Sequence, residues 1–315
     1  MGLMYLALGY RCNHHCFFCP CGHQTDRTPQ ADYEELLRAI DEGIQKHSVQ
    51  HITLSGGEPT LHPAFHSVVS YCVSKGLRVG VLSNGENFQS AENTKQLFDG
   101  INPSFLSVTS ALHSDLSAPH DRVTGVRGSF QHTVDGLKNV LRLGIPVTIK
   151  QVVSRWNYQR LPLFVDFLFR EYGPLASLTI CGMDFSGMRE NQIRQAAVSF
   201  EETGPYLEQA LDAVAQLRQQ FNAFPNVSVT DLPLCCVDPS YWGYFTKVSR
   251  GSLSQYSAPD RNMRGQVESF LAVQNDCDVY STACRDCCVA EFCPGIWHSA
   301  YQFFGDQSVR QVQPG

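Results

Sequence analysis

YLALGYRCNHHCFFC, residues 5–19, is a short apolar run followed at once by a loop that carries three thiols. Tyr5–Leu8 has the length and composition of a buried strand. Cys12, Cys16 and Cys19 follow it with the spacing C-x3-C-x2-C. Soft thiolate ligands select iron–sulfur clusters or zinc. Three thiolates on one loop can hold three corners of a cubane and leave its fourth iron open, and an open coordination position marks a reactive metal rather than a structural one. The competing reading is a zinc knuckle that recruits Cys21 or His23 as its fourth ligand. A fourth ligand would close the site, so Cys21 is read as a bystander, and His14 and His15 as exposed loop residues without a ligand role.

Outward from that loop the chain alternates helical and strand patterns. Tyr33–Lys46 is a predicted helix with Leu36, Leu37, Ile40 and Ile44 on one face. Strand His51–Leu54 precedes helix Ala64–Ser74, and strand Leu77–Leu82 precedes a shorter helix near Thr94–Phe98. Strand Phe105–Val108 precedes helix Phe130–Arg142, which Gly144 ends. Strand Pro146–Val153, helix Leu161–Tyr172, strand Leu178–Cys181 and helix Glu201–Phe221 complete six β/α units. Such alternation predicts an α/β fold with a parallel sheet and right-handed crossovers. Six units close only partly, giving a partial (β/α)6 barrel over residues 1–224. Ligands in such folds bind at the carboxyl ends of the strands.

Past Pro225 the rhythm breaks. Val227–Thr230 reads as one strand, and Val248–Arg264, rich in Ser, Gly and Pro, as a loop or linker. Cys277–Phe304 is irregular and cysteine-rich. Residues 225–315 are therefore expected to form a small C-terminal metal-binding extension.

Composition limits the function classes. The 315 residues are 43% hydrophobic and 17% charged, enough apolar material for a core. A net charge of −6 provides no basic field for nucleic acid or anionic lipid. No apolar run of about 18 residues predicts a membrane span. The first residues, MGLMYLALGYRC, lack the basic start of a signal peptide, so a cytoplasmic location is expected. Of thirteen cysteines, four lie between positions 12 and 21 and five between 277 and 293. In a chain of this size without a signal, such clustering points to metal rather than disulfides.

Each predicted strand is followed by a distinctive turn. The second ends in Ser55-Gly56-Gly57-Glu58-Pro59, where two glycines allow close backbone approach to a ligand and a carboxylate can share an ammonium group. The third ends in Ser83-Asn84-Gly85, whose Asn side chain can both donate and accept. The fourth gives Thr109-Ser110-Ala111-Leu112-His113. Together the C-x3-C-x2-C loop, with Phe18 before its third cysteine, and the GGEP turn resemble the radical S-adenosylmethionine (SAM) superfamily. The resemblance implies a [4Fe–4S] cluster on Cys12, Cys16 and Cys19 whose open iron binds the amino and carboxylate groups of SAM. One electron then cleaves SAM to methionine and a 5′-deoxyadenosyl radical, which takes a hydrogen atom from the substrate. By the same resemblance Gly56, Gly57, Glu58 and Pro59 grip the SAM amino group, Ser83 and Asn84 contact its ribose, and Ser110 lies near its carboxylate. Lys150, Arg122 or Arg127 would supply the matching cation. His113 and His120 read as structural or as substrate-side residues, and Cys72 and Cys181 as buried thiols.

In the tail, Cys284, Cys287 and Cys293 stand at C-x2-C-x5-C. This resembles the SPASM and twitch extensions, which hold auxiliary [4Fe–4S] clusters. Trp297 stands where the full SPASM pattern has its next cysteine, so one auxiliary cluster is expected rather than two. Cys235 and Cys277 compete for its fourth position, and a structural zinc site is the alternative for the whole tail. Cys236 or Cys288 could donate a hydrogen atom to a product radical.

An auxiliary cluster suits net oxidation. The resemblance therefore implies an oxidoreductase or maturase that oxidises, cross-links or epimerises a ribosomally made peptide, fed by a flavodoxin- or ferredoxin-type reductant. A small-molecule biosynthetic intermediate is the alternative substrate. A reading of another class is a non-catalytic Fe–S or zinc metalloprotein. No nucleic-acid or membrane partner is expected.

Overall fold

The computed structural model describes residues 2–19, 30–221, 226–246, 253–256 and 281–313. Eight strands follow the order β7-β6-β5-β4-β3-β2-β1-β8, and every neighbour from β1 to β7 is also the neighbour in sequence. The expected α/β architecture is present. No helix among the described residues is long and apolar enough to cross a membrane.

The chain divides into two compact units, each described by itself. The first comprises Met1–Ala111, Thr124–Thr148 and Arg250–Val273; the second comprises Leu112–Val123, Ile149–Ser249 and Gln274–Gly315.

In the first unit β1 (Gly2–Gly9), β2 (Val49–Gly56), β3 (Arg78–Ser83) and β4 (Leu106–Ala111) pair in parallel. The register aligns Met4 with Ile52 and Leu6 with Leu54, then Ile52 with Val79 and Leu54 with Val81, then Val81 with Val108. These residues, two apart along each strand, share one face and are fully buried. Helix α1 (Tyr33–His47) starts at a capping box, in which the Asp32 side chain accepts the Glu35 N–H and the Glu35 side chain accepts the Asp32 N–H. Ser48, at φ 51°, turns the chain into β2. Helix α2 (Phe65–Ser74) buries Phe65, Val68, Val69 and Cys72, while α3 (Ala91–Leu97) is capped by Ser90. Helix α5 (Ser129–Arg142) buries Val134, Leu137 and Val140. Beyond β1, β8 (Leu253–Tyr256) adds a parallel edge from Leu3↔Leu253 to Leu6↔Tyr256. That strand lies inside Val248–Arg264, expected to be a loop or linker; the rest of that stretch falls outside the described residues.

The second unit holds β6 (Ala176–Cys181) and β7 (Val227–Thr230), paired in parallel with Leu178 opposite Val227 and Ile180 opposite Val229. Thus a seventh strand continues the sheet past the six predicted units. β5 (Val147–Val152) begins in the first unit and ends in the second. Helix α6 (Leu161–Tyr172) packs Phe164, Val165 and Leu168 inward, and α8 (Phe200–Phe221) packs Leu207, Leu211 and Val214. Three short helices had no counterpart in the sequence reading: α4 (Ser117–Thr124), α7 (Glu190–Ala196) and α9 (His298–Phe304).

Candidate functional site

The first three strands end side by side, and their turns meet in the first unit. Gly57 N–H donates to the Gly9 carbonyl at 2.8 Å, and Glu58 N–H donates to the Arg11 carbonyl at 2.9 Å. The Gly-Gly turn therefore lies flat against the backbone that leads into Cys12. Gly56 has φ 113°, and a Cβ there would overlap the Gly9 carbonyl oxygen. At Gly57 a Cβ would come within 2.5 Å of the Tyr10 carbonyl oxygen and closer still to that of Arg11. The sequence suggested glycines that admit a ligand; in the structure what they admit is the cysteine loop's own main chain.

Glu58 is buried, 3% exposed. Its Oε1 accepts from Thr60 N–H at 3.1 Å, Thr60 Oγ1 at 2.5 Å and Ser83 Oγ at 2.9 Å, and its Oε2 accepts from Asn84 N–H at 2.7 Å. Three of these four donors converge on Oε1, and Oε2 keeps room for a further donor. Burial pushes this carboxyl above its usual range, and the bonds from Thr60, Asn84 and Ser83 pull the other way. One side chain thus ties the second turn to the third. Ser83 Oγ also accepts the Gly85 N–H at 3.0 Å. The Asn84 amide nitrogen donates to Asn13 Oδ1 at 2.7 Å and approaches Cys12 Sγ at 3.8 Å, so the third turn reaches the thiols directly.

Among the thiols, Cys12 is half-buried and accepts the His14 N–H at 3.4 Å. Cys16 is pushed up to about 12, by burial first and then by the proximity of Cys19 and Cys12. Mutual repulsion between thiolates keeps protons on these sulfurs, and a metal that binds must displace those protons while its charge cancels the repulsion. Among the described residues, no three His, Cys, Asp or Glu side chains gather tightly enough to chelate a single ion. Cys21 and His23 fall outside the described residues. His15 is exposed as expected, but His14 is not: it is 5% exposed, because Glu86 takes its ring nitrogen at 2.8 Å. Glu86, Asn13 and Thr133, which donates to the Asn84 carbonyl at 2.9 Å, complete the surroundings. None stood out in the sequence, although Glu86 directly follows the Ser83-Asn84-Gly85 turn.

Ser110, near the end of β4, has its hydroxyl buried and without a hydrogen-bond partner among the described residues, 3.3 Å from where a Cβ on Gly85 would stand. A buried orphan donor beside the third turn fits a ligand group better than it fits a core. Lys150 belongs to the second unit and is exposed. Its charge pulls down Cys181, which burial nevertheless pushes up to about 11. The Arg122 guanidinium lies over the Trp156 ring, 4.5 Å from its centroid, and Arg127 is exposed. Within the second unit His113 N–H donates to His120 Nδ1 at 3.2 Å and Asn157 donates to the His113 carbonyl at 2.8 Å, so this pair is built into the loop after β4. Cys72 and Cys181 are buried.

The second unit also gathers cysteines. Cys235, Cys284, Cys287 and Cys293 line one small cavity with Pro233 and Ile296. Cys293 Sγ accepts from the N–H groups of Leu234 and Gly295, both at 3.4 Å. Cys235 Sγ accepts the Arg310 N–H at 3.5 Å, and Arg310 Nε donates to the Cys235 carbonyl at 2.8 Å. Burial pushes the Cys235 and Cys293 thiols up, and their N–H donors oppose it. Four cysteines thus line one apolar hollow, and thiolates are the ligand type that iron–sulfur clusters take. Cys236 borders a second cavity of about 370 Å³, which Cys235, Glu208 and Arg310 also line; burial and then the neighbouring Cys235 push its thiol up. Cys277 lies outside the described residues, and Cys288 is exposed.

Comparison with known proteins follows this geometry. The family described as the Radical SAM superfamily matches residues 6–168. PqqA peptide cyclase of Methylorubrum populi is 27% identical over 160 residues, covering 50% of this chain and 40% of the relative. The sporulation killing factor maturation protein SkfB of Bacillus subtilis is 25% identical over 204 residues, covering 61% and 48%. The chain thus spans less than half the length of these relatives. Among solved structures, SuiB of Streptococcus suis bound to S-adenosylmethionine matches with a TM-score of 0.66 at 11% identity, covering 99% of this chain and 76% of that one. At that identity the likeness concerns the fold.

Proposed function

Because this chain belongs to the radical SAM superfamily, a family that works with a [4Fe–4S] cluster and SAM, we propose that it is an enzyme that reductively cleaves SAM and modifies a ribosomally made peptide. When bound, the cluster and SAM supply the one-electron cleavage and the hydrogen abstraction from the substrate. Cys12, Cys16 and Cys19 hold three corners of the cluster. Gly56, Gly57 and Pro59 shape the turn that meets the SAM amino group, and Glu58 acts through that turn, its carboxylate locking Ser83 and Asn84 into place. Ser110 offers its buried hydroxyl to the SAM carboxylate.

The observation that carries this reading is the joining of the cysteine loop to the Gly-Gly turn, by Gly57 N–H to Gly9 and Glu58 N–H to Arg11. It supports a loop held open and ready rather than one that folds around an ion. In the second unit Cys235, Cys284, Cys287 and Cys293, which line one cavity, would hold an auxiliary [4Fe–4S] cluster. Such a cluster suits a net oxidation such as cross-linking. Cys236, a half-buried thiol beside Cys235, is the candidate hydrogen-atom donor for epimerisation. The name of the PqqA peptide cyclase relative supports a peptide substrate over a small molecule. A flavodoxin- or ferredoxin-type protein is the proposed reductant, and the cytoplasm the proposed compartment.

Anaerobic reconstitution with iron and sulfide, followed by dithionite and SAM, is expected to yield 5′-deoxyadenosine. Cys16→Ala is expected to abolish that product while the chain keeps the iron of its C-terminal site. A normal iron content without 5′-deoxyadenosine would sink the enzyme reading and leave an electron carrier.

A further inference from the structure

The segment between the first two cysteines is tied down at every residue. Asn13 Oδ1 accepts from the Asn84 amide at 2.7 Å, and His15 N–H donates to the Thr124 carbonyl at 2.8 Å. His14 between them is the most buried. Its side chain is 2% exposed, and its Nε2 meets Glu86 Oε2 at 2.8 Å. The second carboxylate oxygen, Oε1, meets Nδ1 of His132 on α5, also at 2.8 Å. Glu86 therefore bridges two imidazoles, one oxygen to each. It is aimed in turn, since its N–H donates to Asn84 Oδ1 at 3.0 Å, and Asn84 is the residue whose other amide atom approaches Cys12 Sγ.

Two imidazoles 118 positions apart in sequence have no local reason to share a carboxylate. A buried imidazole without a partner would carry the full desolvation cost of its polar nitrogens, so the bridge fixes where His14 can be. Because His14 N–H also donates to Cys12 Sγ at 3.4 Å, fixing His14 fixes the approach of a thiol. Partners of this kind, one step behind metal ligands, typically govern affinity or activity by 10–100-fold.

We propose that Glu86 is a positioning residue, which by bridging His14 to His132 sets how the cysteine loop presents Cys12 and Cys16. This rests on reading that loop as the site of the SAM-binding cluster.

Two measurements test it. Hydrogen exchange on the metal-free chain reads the loop without any cofactor. Glu86→Ala is expected to speed exchange of the His15 and Cys19 amides by about tenfold or more, with the amides of β2 and β3 unchanged. Glu86→Gln is expected to stay within about threefold of the parent, because a carboxamide can accept from one imidazole and donate to the other. In the reconstituted, reduced protein, the SAM concentration that half-converts the electron paramagnetic resonance signal is expected to rise about tenfold in Glu86→Ala and little in Glu86→Gln. A merely structural role would not give this graded pattern. If Glu86→Ala does not fold, His132→Ala removes one side of the bridge and should loosen the same two amides less. Unchanged exchange in Glu86→Ala, or in His132→Ala where it replaces that variant, or Glu86→Gln behaving as Glu86→Ala, overturns the proposal. A parent protein whose signal ignores SAM would instead overturn the reading of the site, and the exchange measurement would still decide the role of Glu86.

Discussion

Alanine at Gly57 is the most informative single change, because two accounts of that glycine predict different losses. A Cβ there meets the Tyr10 carbonyl oxygen at 2.5 Å and that of Arg11 closer still. Both are backbone atoms and cannot swing aside, so the turn and the cysteine loop must part by about half an ångström or more. Parting weakens the Gly57-to-Gly9 and Glu58-to-Arg11 hydrogen bonds. Each is worth about 0.5–1.5 kcal/mol net, and forced overpacking adds roughly 1–3 kcal/mol, for a local cost of roughly 2–6 kcal/mol. Hydrogen exchange of the Glu58 amide in the metal-free chain should then quicken by a factor of about 30 or more. Gly76→Ala is the control. Its φ of 77° is left-handed but no atom lies within 4 Å of the added Cβ, so only backbone strain of about 1–2 kcal/mol applies, and the Glu58 amide should not change. If Gly57→Ala leaves that amide protected yet weakens SAM binding, the glycine serves the ligand and not the loop, and the clamp described above is wrong.

Two further outcomes are expected. Cys235→Ala should lose the iron of the C-terminal site while Cys236→Ala keeps it, as read by iron content and visible absorbance after reconstitution; equal losses would remove Cys235 as the fourth ligand. Burial acts to raise the Glu86 carboxyl, but His14 and His132 outweigh it and hold the group below its usual range. Its contribution is therefore fully present above its unfolded value of about 4.3 and lost as pH falls through the lower folded value. The stability advantage of the metal-free parent over Glu86→Gln, measured by urea unfolding, should shrink below about pH 4, and an advantage that grows on acidification would refute the assignment.

The framework could be read from the sequence wherever one face of an element is apolar. Leu161–Tyr172 and Val227–Thr230 have the bounds predicted, because Phe164, Val165 and Leu168, or Val227 and Val229, carry the period of the element. Ser117–Thr124 offers only Val123 as a large apolar residue, and Glu190–Ala196 only Ile193, so α4 and α7 leave no periodic trace. Leu253–Tyr256 places Ser254 and Gln255 side by side and so lacks the alternation of a strand, and its reason for being one is the open edge of β1. Thiol spacing groups Cys284, Cys287 and Cys293, but that Cys235 lines the same cavity depends on the fold, since it precedes Cys284 by 49 positions. His14 was misread for the same reason: its partner Glu86 belongs to a turn two strands away.

The sequential order of the strands has a consequence for how the chain emerges during synthesis. From β2 to β7 each strand finds its neighbour already made, so the sheet can grow by one unit at a time. The outer edge of β1 is the exception, because its partner β8 comes roughly 200 residues after β2. At translation rates of about 5–20 residues per second, a bare apolar strand edge waits on the order of ten seconds or longer for its cover. Unpaired edges of this kind recruit foreign strands, so the nascent chain is most exposed to aggregation at the strand that delivers Cys12.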